Sequence, residues 1–84
     1  MRIEFTSDAS SSLLSVPTYE RKKIQAKIKA FGSNPRGQYG KWVKPFTAST
    51  GRIRQGDWRA LYLIDWENEI VMITAVDHRS KVYR

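Results

Sequence analysis

A two-residue turn, Gly56-Asp57, restricts the fold of this 84-residue chain more than any other feature. It lies between two segments rich in strand-forming residues, "GRIR" and "WRALYLID". A Gly-Asp pair in that position predicts a β-hairpin with a two-residue loop. After the turn-forming letters "WENE", the segment "EIVMITAV" is apolar at nearly every position, which predicts a central strand buried on both faces.

The N-terminal half shows helical periodicity instead. The segment "TYERKKIQAKIKAFG" predicts a helix because Ile24, Ile28 and Phe31 fall on one apolar stripe, and Gly32 predicts where that helix ends. A weaker helix is predicted in "SDASSSLLSV", with Ser7 as its cap. The segment "RIEF" before it alternates and predicts a first strand.

The order of these elements defines the predicted architecture. Residues 36–50 are predicted to form an ordered loop, held to the body by Tyr39, Trp42 and Phe46. The chain is then β-α-α-β-β-β, an α+β fold whose two N-terminal helices pack on one face of a mostly antiparallel sheet. No repeat, low-complexity block or linker interrupts it, so residues 1–84 are predicted to form a single domain.

The charge of the chain indicates the kind of partner. Fifteen Lys and Arg residues against eight Asp and Glu residues give a net charge of +7, which predicts attraction to nucleic acid or an acidic protein. The alternative is a basic surface that serves only solubility. Because cysteine is absent, no disulfide framework or cysteine zinc site is expected, and no cofactor is predicted. Without a signal peptide or transmembrane segment, the expected location is the cytoplasm and no membrane partner is expected.

The hairpin concentrates arginines on one surface. With a two-residue loop, Arg54 lies opposite Arg59, and Arg52 lies on the same face two residues earlier. Like charges that oppose each other across strands repel and lower stability. A planar guanidinium can bind two phosphate oxygens at once, so the three arginines predict a phosphate site on the open face of the sheet. The alternative is neutralisation by acids from neighbouring strands, for which the candidates are Glu4, Asp65 and Asp77.

The tail "DHRSKVYR" supplies groups that can carry protons. The apolar strand before it is expected to deliver the tail to the end of the sheet beside the hairpin. Metal-free RNA cleavage needs a base for the 2′-hydroxyl, an acid for the 5′-oxygen and cations for the phosphorane. His78 is the only histidine, so Tyr83 is the other candidate, with nearby guanidiniums lowering its pKa from about 10. A lone histidine is more often structural than catalytic, and that alternative stays open.

In their order and spacing these motifs resemble the RelE/ParE superfamily of type II toxin–antitoxin toxins. The segments "GRIRQGDWRALYLID" and "VDHRSKVYR" carry the resemblance, which covers nearly all of the chain in layout. It implies a cognate antitoxin as partner, with operator DNA bound only through that antitoxin. For the RelE-like mRNA interferase branch it implies an endoribonuclease that cleaves mRNA in the ribosomal A site without a metal. The ribosome, its rRNA and the mRNA would then be partners, and translation would be inhibited.

The resemblance also implies which residues act. The family's catalytic positions correspond here to Arg52, Arg54, Arg59, His78, Arg79 and Tyr83. Lysine often occupies the first two positions in the family, whereas arginine is a poor base because its pKa exceeds about 12. Arg52 and Arg54 are therefore expected to bind phosphate and stabilise charge, which leaves proton transfer to His78 or Tyr83.

Two alternatives from other functional classes remain. ParE-like members of the superfamily share the fold, lack the ribonuclease residues and inhibit DNA gyrase, so such a protein would cleave nothing. A non-enzymatic basic module would bind RNA with strong salt dependence and no cleavage.

Overall fold

The computed structural model describes residues 1–82, and Tyr83 and Arg84 lie outside the described residues. The strands are β1 (Arg2–Phe5), β2 (Val43–Pro45), β3 (Thr50–Gln55), β4 (Trp58–Asp65) and β5 (Ile70–His78). The helices are α1 (Ser7–Leu13), α2 (Thr18–Ser33) and α3 (Arg79–Val82), and a 3₁₀ turn spans Gly40–Trp42. Within residues 1–82, no helix combines the length and apolar character that crossing a bilayer requires.

The strands form one mixed sheet in the order β1-β5-β4-β3-β2. β1 runs parallel to β5, while the other neighbouring strands are antiparallel. The predicted α+β architecture, with helices on one face of a mostly antiparallel sheet, is confirmed. β5 is an interior strand, but only the face that carries Val71, Ile73 and Val76 is buried. The prediction of burial on both faces is wrong because α1 and α2 cover one side of the sheet.

The core forms between α2 and the covered face of the sheet. Ile24, Ile28 and Phe31 are each at most 2% exposed, so the predicted apolar stripe is confirmed. The ring centroid of Phe31 lies 4.5 Å from that of Tyr62 on β4, which joins the helix to the middle of the sheet. Burial of a side chain of this size contributes about 1.5–3 kcal/mol relative to exposure.

Two predicted helix boundaries are wrong. Thr6, not Ser7, caps α1, because its hydroxyl accepts a hydrogen bond from the Ala9 amide at 3.2 Å. Gly32 does not end α2, which continues through Ser33. Instead, Gly32 lies where a Cβ would collide with the end of the Ile3 side chain, so glycine lets α2 pack closely on β1.

The segment 36–50, predicted as a loop, contains the short strand β2. It forms one edge of the sheet and pairs with β3, so that Lys44 lies opposite Arg52. The predicted aromatic anchoring is present at Tyr39, whose hydroxyl donates to the Asn34 carbonyl oxygen at 2.7 Å. The edge strand therefore brings additional basic residues beside the hairpin.

Gly51 allows β2, β3 and β4 to approach closely. A Cβ at this position would collide with the Tyr62 hydroxyl and lie 2.7 Å from the Lys44 carbonyl oxygen. We expect Gly51→Ala to lower the free energy of unfolding by about 1–3 kcal/mol, because a backbone atom cannot easily move aside. Urea unfolding measures this loss, with the exposed substitution Gln38→Ala as control. An unchanged unfolding midpoint for Gly51→Ala would contradict the packing described.

Candidate nucleic-acid interface

The hairpin between β3 and β4 has the predicted register. Gly56 has a φ of 57°, which the first central position of a two-residue hairpin turn requires. Gln55 lies opposite Trp58, and Arg54 lies opposite Arg59. Arg52 and Arg54 are therefore on the face of the sheet that the helices leave uncovered.

The three arginines of the hairpin are not equally exposed. Arg52 and Arg54 are partly exposed, whereas Arg59 is only 9% exposed. The Arg59 guanidinium donates to the carbonyl oxygens of Gly56 at 2.7 Å and Trp58 at 3.0 Å. The expectation that three open guanidiniums share this face is therefore wrong for Arg59, because its side chain folds back onto the turn and holds it.

The acids that might have neutralised Arg52 and Arg54 are engaged elsewhere. Glu4 pairs with Arg2 at 3.5 Å. Asp65 accepts hydrogen bonds from the side-chain amide and backbone amide of Asn68, which lower the pKa of its carboxyl. Among residues 1–82, no ion pair reaches Arg52 or Arg54.

Asp77 is the one of these acids that lies directly opposite a hairpin arginine. It is opposite Arg59 in the register of β4 and β5, and its carboxylate accepts the His78 amide at 2.9 Å. The positive charge of the open face is therefore concentrated at Arg52 and Arg54, on the β3 side of the hairpin.

Helix α2 fixes the end of β3 from the other side of the sheet. Lys27 donates from Nζ to the Arg54 carbonyl oxygen at 2.9 Å, and its ammonium lies 5.3 Å from the Trp42 ring centroid. Gln55 donates from its side-chain amide to the Glu20 carboxylate at 3.0 Å. The sequence alone does not single out Lys27, because it lies within a lysine-rich helix that resembles an ordinary solvated face.

Burial lowers the pKa of Lys27 from its ordinary value of 10.5, and the positive charges of Arg54 and Lys23 lower it further. Because the unfolded chain then holds this proton to higher pH than the folded chain, stability should rise as pH approaches 10.5. We expect wild type to gain stability over that range relative to Lys27→Met, which lacks the titrating group. Urea unfolding of both proteins at several pH values measures the difference. A difference that stays constant with pH would contradict this account.

A basic groove extends from the arginines to the edge of the sheet. It has a volume of about 310 Å³ and is lined by Lys41, Val43, Lys44, Arg52 and Arg54. We call it the edge groove. Arg52 donates from Nη1 to the Lys41 carbonyl oxygen at 3.4 Å, at the long end of hydrogen-bond distances. Lys41 and Lys44 were missed from sequence because only the pairing of β2 with β3 brings them here.

The tail reaches the hairpin as predicted. The Arg79 amide donates to the Asp57 carbonyl oxygen at 2.7 Å, and its guanidinium Nε lies 3.5 Å from the Asp57 carboxylate. Arg79 is therefore held at the hairpin turn by the acid of that turn, rather than beside Arg52 and Arg54. Tyr83 lies outside the described residues.

His78 lies on the opposite face of the sheet from the arginines. It is directly opposite Trp58, with ring centroids 5.6 Å apart, and it lines a cavity of about 250 Å³ with Ser12 and Ser15 of the α1 region. Its Nδ1 lies 3.0 Å from the Ser80 hydroxyl. The expectation that His78 joins the arginine cluster is therefore wrong in this structure.

A β-bulge explains the position of His78. Leu61 pairs with Ala75 and Tyr62 pairs with Ile73, so Thr74 is an extra residue in β5. One extra residue reverses the faces of every side chain after it. Asp77 consequently faces the arginines, and His78 faces the helices.

The chain matches known toxins in sequence. Residues 3–83 match the family described as the ParE toxin of the type II toxin–antitoxin system parDE. The chain is 36% identical over 86 residues to Toxin RelG of Mycobacterium tuberculosis, covering 98% of this chain and 94% of that protein.

Solved structures of toxins are also similar. The chain is 31% identical to a chain of the M. tuberculosis toxin–antitoxin complex RelBE2, with a TM-score of 0.59 over 95% of this chain and 92% of that one. The isolated E. coli RelE toxin has the same fold, with a TM-score of 0.78 at 19% identity, over 98% of this chain and 89% of that one. The chain belongs to the RelE/ParE superfamily of type II toxin–antitoxin toxins.

Proposed function

We propose that this toxin is an mRNA interferase, an endoribonuclease that cleaves mRNA in the A site of the translating ribosome without a metal cofactor. Its action would inhibit translation in the cytoplasm. A cognate antitoxin would control it, as RelB accompanies RelE in the solved toxin–antitoxin complexes. Contact with operator DNA would be made through that antitoxin.

The observation that carries this proposal is the pair Arg52 and Arg54 on the open sheet face, with which no acid of residues 1–82 forms an ion pair. Cleavage by a 2′-hydroxyl places additional negative charge on the scissile phosphate in the transition state. Positively charged donors fixed on a strand stabilise that charge without reorganisation, and guanidinium groups do so with two hydrogen bonds each. Arg59 lies opposite Arg54 and contributes by holding the turn.

Proton transfer in this proposal falls to the tail. Arg52 and Arg54 cannot serve as bases because guanidinium does not lose its proton in proteins. Since the His78 ring lies on the helix side of the sheet, Tyr83 is the favoured proton carrier at the phosphate. His78 and Arg79, anchored to Ser80 and Asp57, would set where the tail leaves the hairpin.

The experiment that tests the proposal maps mRNA 5′ ends in a translating extract. Wild type should produce cuts that recur in phase with codons. Tyr83→Phe and Arg52→Gln should lose these cuts, whereas Lys22→Gln, an exposed change on α2, should keep them. Intact mRNA in the presence of folded wild-type protein would contradict the proposal.

A second candidate function is inhibition of DNA gyrase, because the matching family is the ParE toxin family. It predicts gyrase–DNA breaks that accumulate while mRNA stays intact. The same extract, supplemented with plasmid DNA and gyrase, distinguishes the two functions.

A further inference from the structure

The edge groove extends the basic surface beyond the positions that the family motif identifies. Lys41 precedes β2 and Lys44 lies within it, directly opposite Arg52 on β3. Arg54 lines the same groove, two residues nearer to the hairpin turn than Arg52. Four of the five lining side chains are therefore cationic, and Val43 is the remaining one.

The charged side chains that line the edge groove are all positive. Among residues 1–82, no ion pair involves Lys41, Lys44, Arg52 or Arg54. The Arg54 charge also contributes to the lowered pKa of Lys27 on the far side of the strand, which is consistent with a positive field at this edge. Like charges gathered around one concave space attract an anion with several charged groups.

The groove continues directly from the proposed site of cleavage. β2, β3 and β4 are consecutive neighbours in the sheet. With a strand spacing of about 4.8 Å and a rise of about 3.4 Å per residue, the backbone of Lys44 lies about 8 Å from that of Arg54, two residues along from its partner Arg52. A phosphate held at Arg54 would thus have room for a neighbouring phosphate toward β2, as in a polynucleotide chain.

The lining favours a nucleic-acid backbone over an acidic peptide. An amphipathic peptide gains most of its affinity from apolar anchors in pockets. The apolar cavity of the open face is a separate one of about 290 Å³, lined by residues that include Phe46, Leu61 and Leu63. The edge groove offers cations and little apolar surface, which suits phosphates that are bound one after another.

We propose that Lys41 and Lys44, which lie beside Arg52, form a second phosphate subsite that binds the single-stranded RNA backbone next to the scissile phosphate. This inference rests on the proposed function, because it takes the scissile phosphate to lie at Arg52 and Arg54. It assigns the edge of the sheet, rather than the lysine-rich face of α2, as the path of the RNA.

The test measures binding without cleavage. Wild type and the double variant Lys41→Glu with Lys44→Glu are titrated with a fluorescent hexanucleotide and a dinucleotide. Both probes carry 2′-O-methyl groups, which remove the attacking hydroxyl. The variant should bind the hexanucleotide on the order of tenfold more weakly, and its salt slope should fall by about 0.7 for each lost phosphate contact. The dinucleotide, too short to reach both subsites, should be affected much less.

The matched control is Lys22→Glu with Lys29→Glu, which makes the same charge change on exposed residues of α2. Equal losses in both double variants would overturn the proposal, because net charge alone would explain them. Unchanged hexanucleotide binding in the groove variant would also overturn it. The proposal would likewise be overturned if the groove variant lost binding to a polyglutamate peptide but kept its binding to the hexanucleotide. If wild type bound the hexanucleotide through the edge groove but did not cut mRNA, the proposed function would be refuted while the RNA-binding subsite would be retained.

Discussion

Arg54→Gln is expected to lower the rate of mRNA cleavage by about 10²–10³-fold, the usual loss when one fixed donor to a developing negative charge is removed. Its stability should stay within about 0.5 kcal/mol of wild type. Lys27 binds the backbone carbonyl of residue 54, which the substitution retains, and the repulsion between Arg54 and Arg59 is relieved. Single-turnover cleavage on programmed ribosomes measures the rate, and urea unfolding measures the stability.

Two control variants make this prediction specific. Arg54→Lys keeps the charge but loses the planar fork, so it should lie between Arg54→Gln and wild type. Arg59→Met should lose both cleavage and stability, because the Arg59 guanidinium is buried and bonded to the carbonyls of the turn. If Arg54→Gln cleaved mRNA at the wild-type rate, the open-face arginines could not be the groups that stabilise the transition state.

Phe31→Ala is expected to destabilise the fold by about 3–5 kcal/mol, as do other truncations of buried aromatic residues. Phe31 is 1% exposed and contacts the rings of Tyr39 and Tyr62, so the cavity would open between α2, the loop before β2 and β4. For a domain of this size each kcal/mol lowers the melting temperature by about 4–8 °C. Calorimetry should therefore show a drop of well over about 10 °C.

The control for this prediction is Leu14→Ala, which removes a leucine side chain that is 73% exposed. It should change the free energy of unfolding by no more than about 0.5 kcal/mol. Similar losses for the two variants would contradict the assignment of Phe31 to the centre of the core.

The hairpin and α2 could be predicted from sequence because local rules determine them. The two-residue loop at Gly56-Asp57 fixes the pairing of Arg54 with Arg59, and alternation then determines their face. The stripe of Ile24, Ile28 and Phe31 follows from helical period alone. The arginine face of the candidate site therefore follows from the amino-acid sequence and the geometry of a hairpin.

Features that depend on distant contacts could not be predicted in this way. β2 has only three residues and ends in Pro45, so it has too little pattern to indicate a strand without β3 beside it. Lys41 and Lys44 were missed for the same reason. Gly32 resembles a helix end in the sequence because its contact with Ile3, on a strand distant along the chain, leaves no local signal.

The position of His78 could not be predicted because the sequence of β5 does not alternate between polar and apolar residues. Residues 70–76 of that strand are apolar except for Thr74, so the sequence does not show which side chains face the helices. The bulge at Thr74 then reverses the faces of the residues that follow. The position of the last strand correctly predicted that the tail reaches the hairpin, but not the side of the sheet on which the imidazole lies.

The most direct test of the central claim uses purified ribosomes programmed with mRNA and a vacant A site, in the absence of DNA and gyrase. Wild-type protein should cut the mRNA within the A-site codon, and the Arg52→Gln with Arg54→Gln variant should leave it intact while remaining folded. The account is contradicted if wild type leaves the mRNA whole, or if the folded double variant cuts it as fast as wild type.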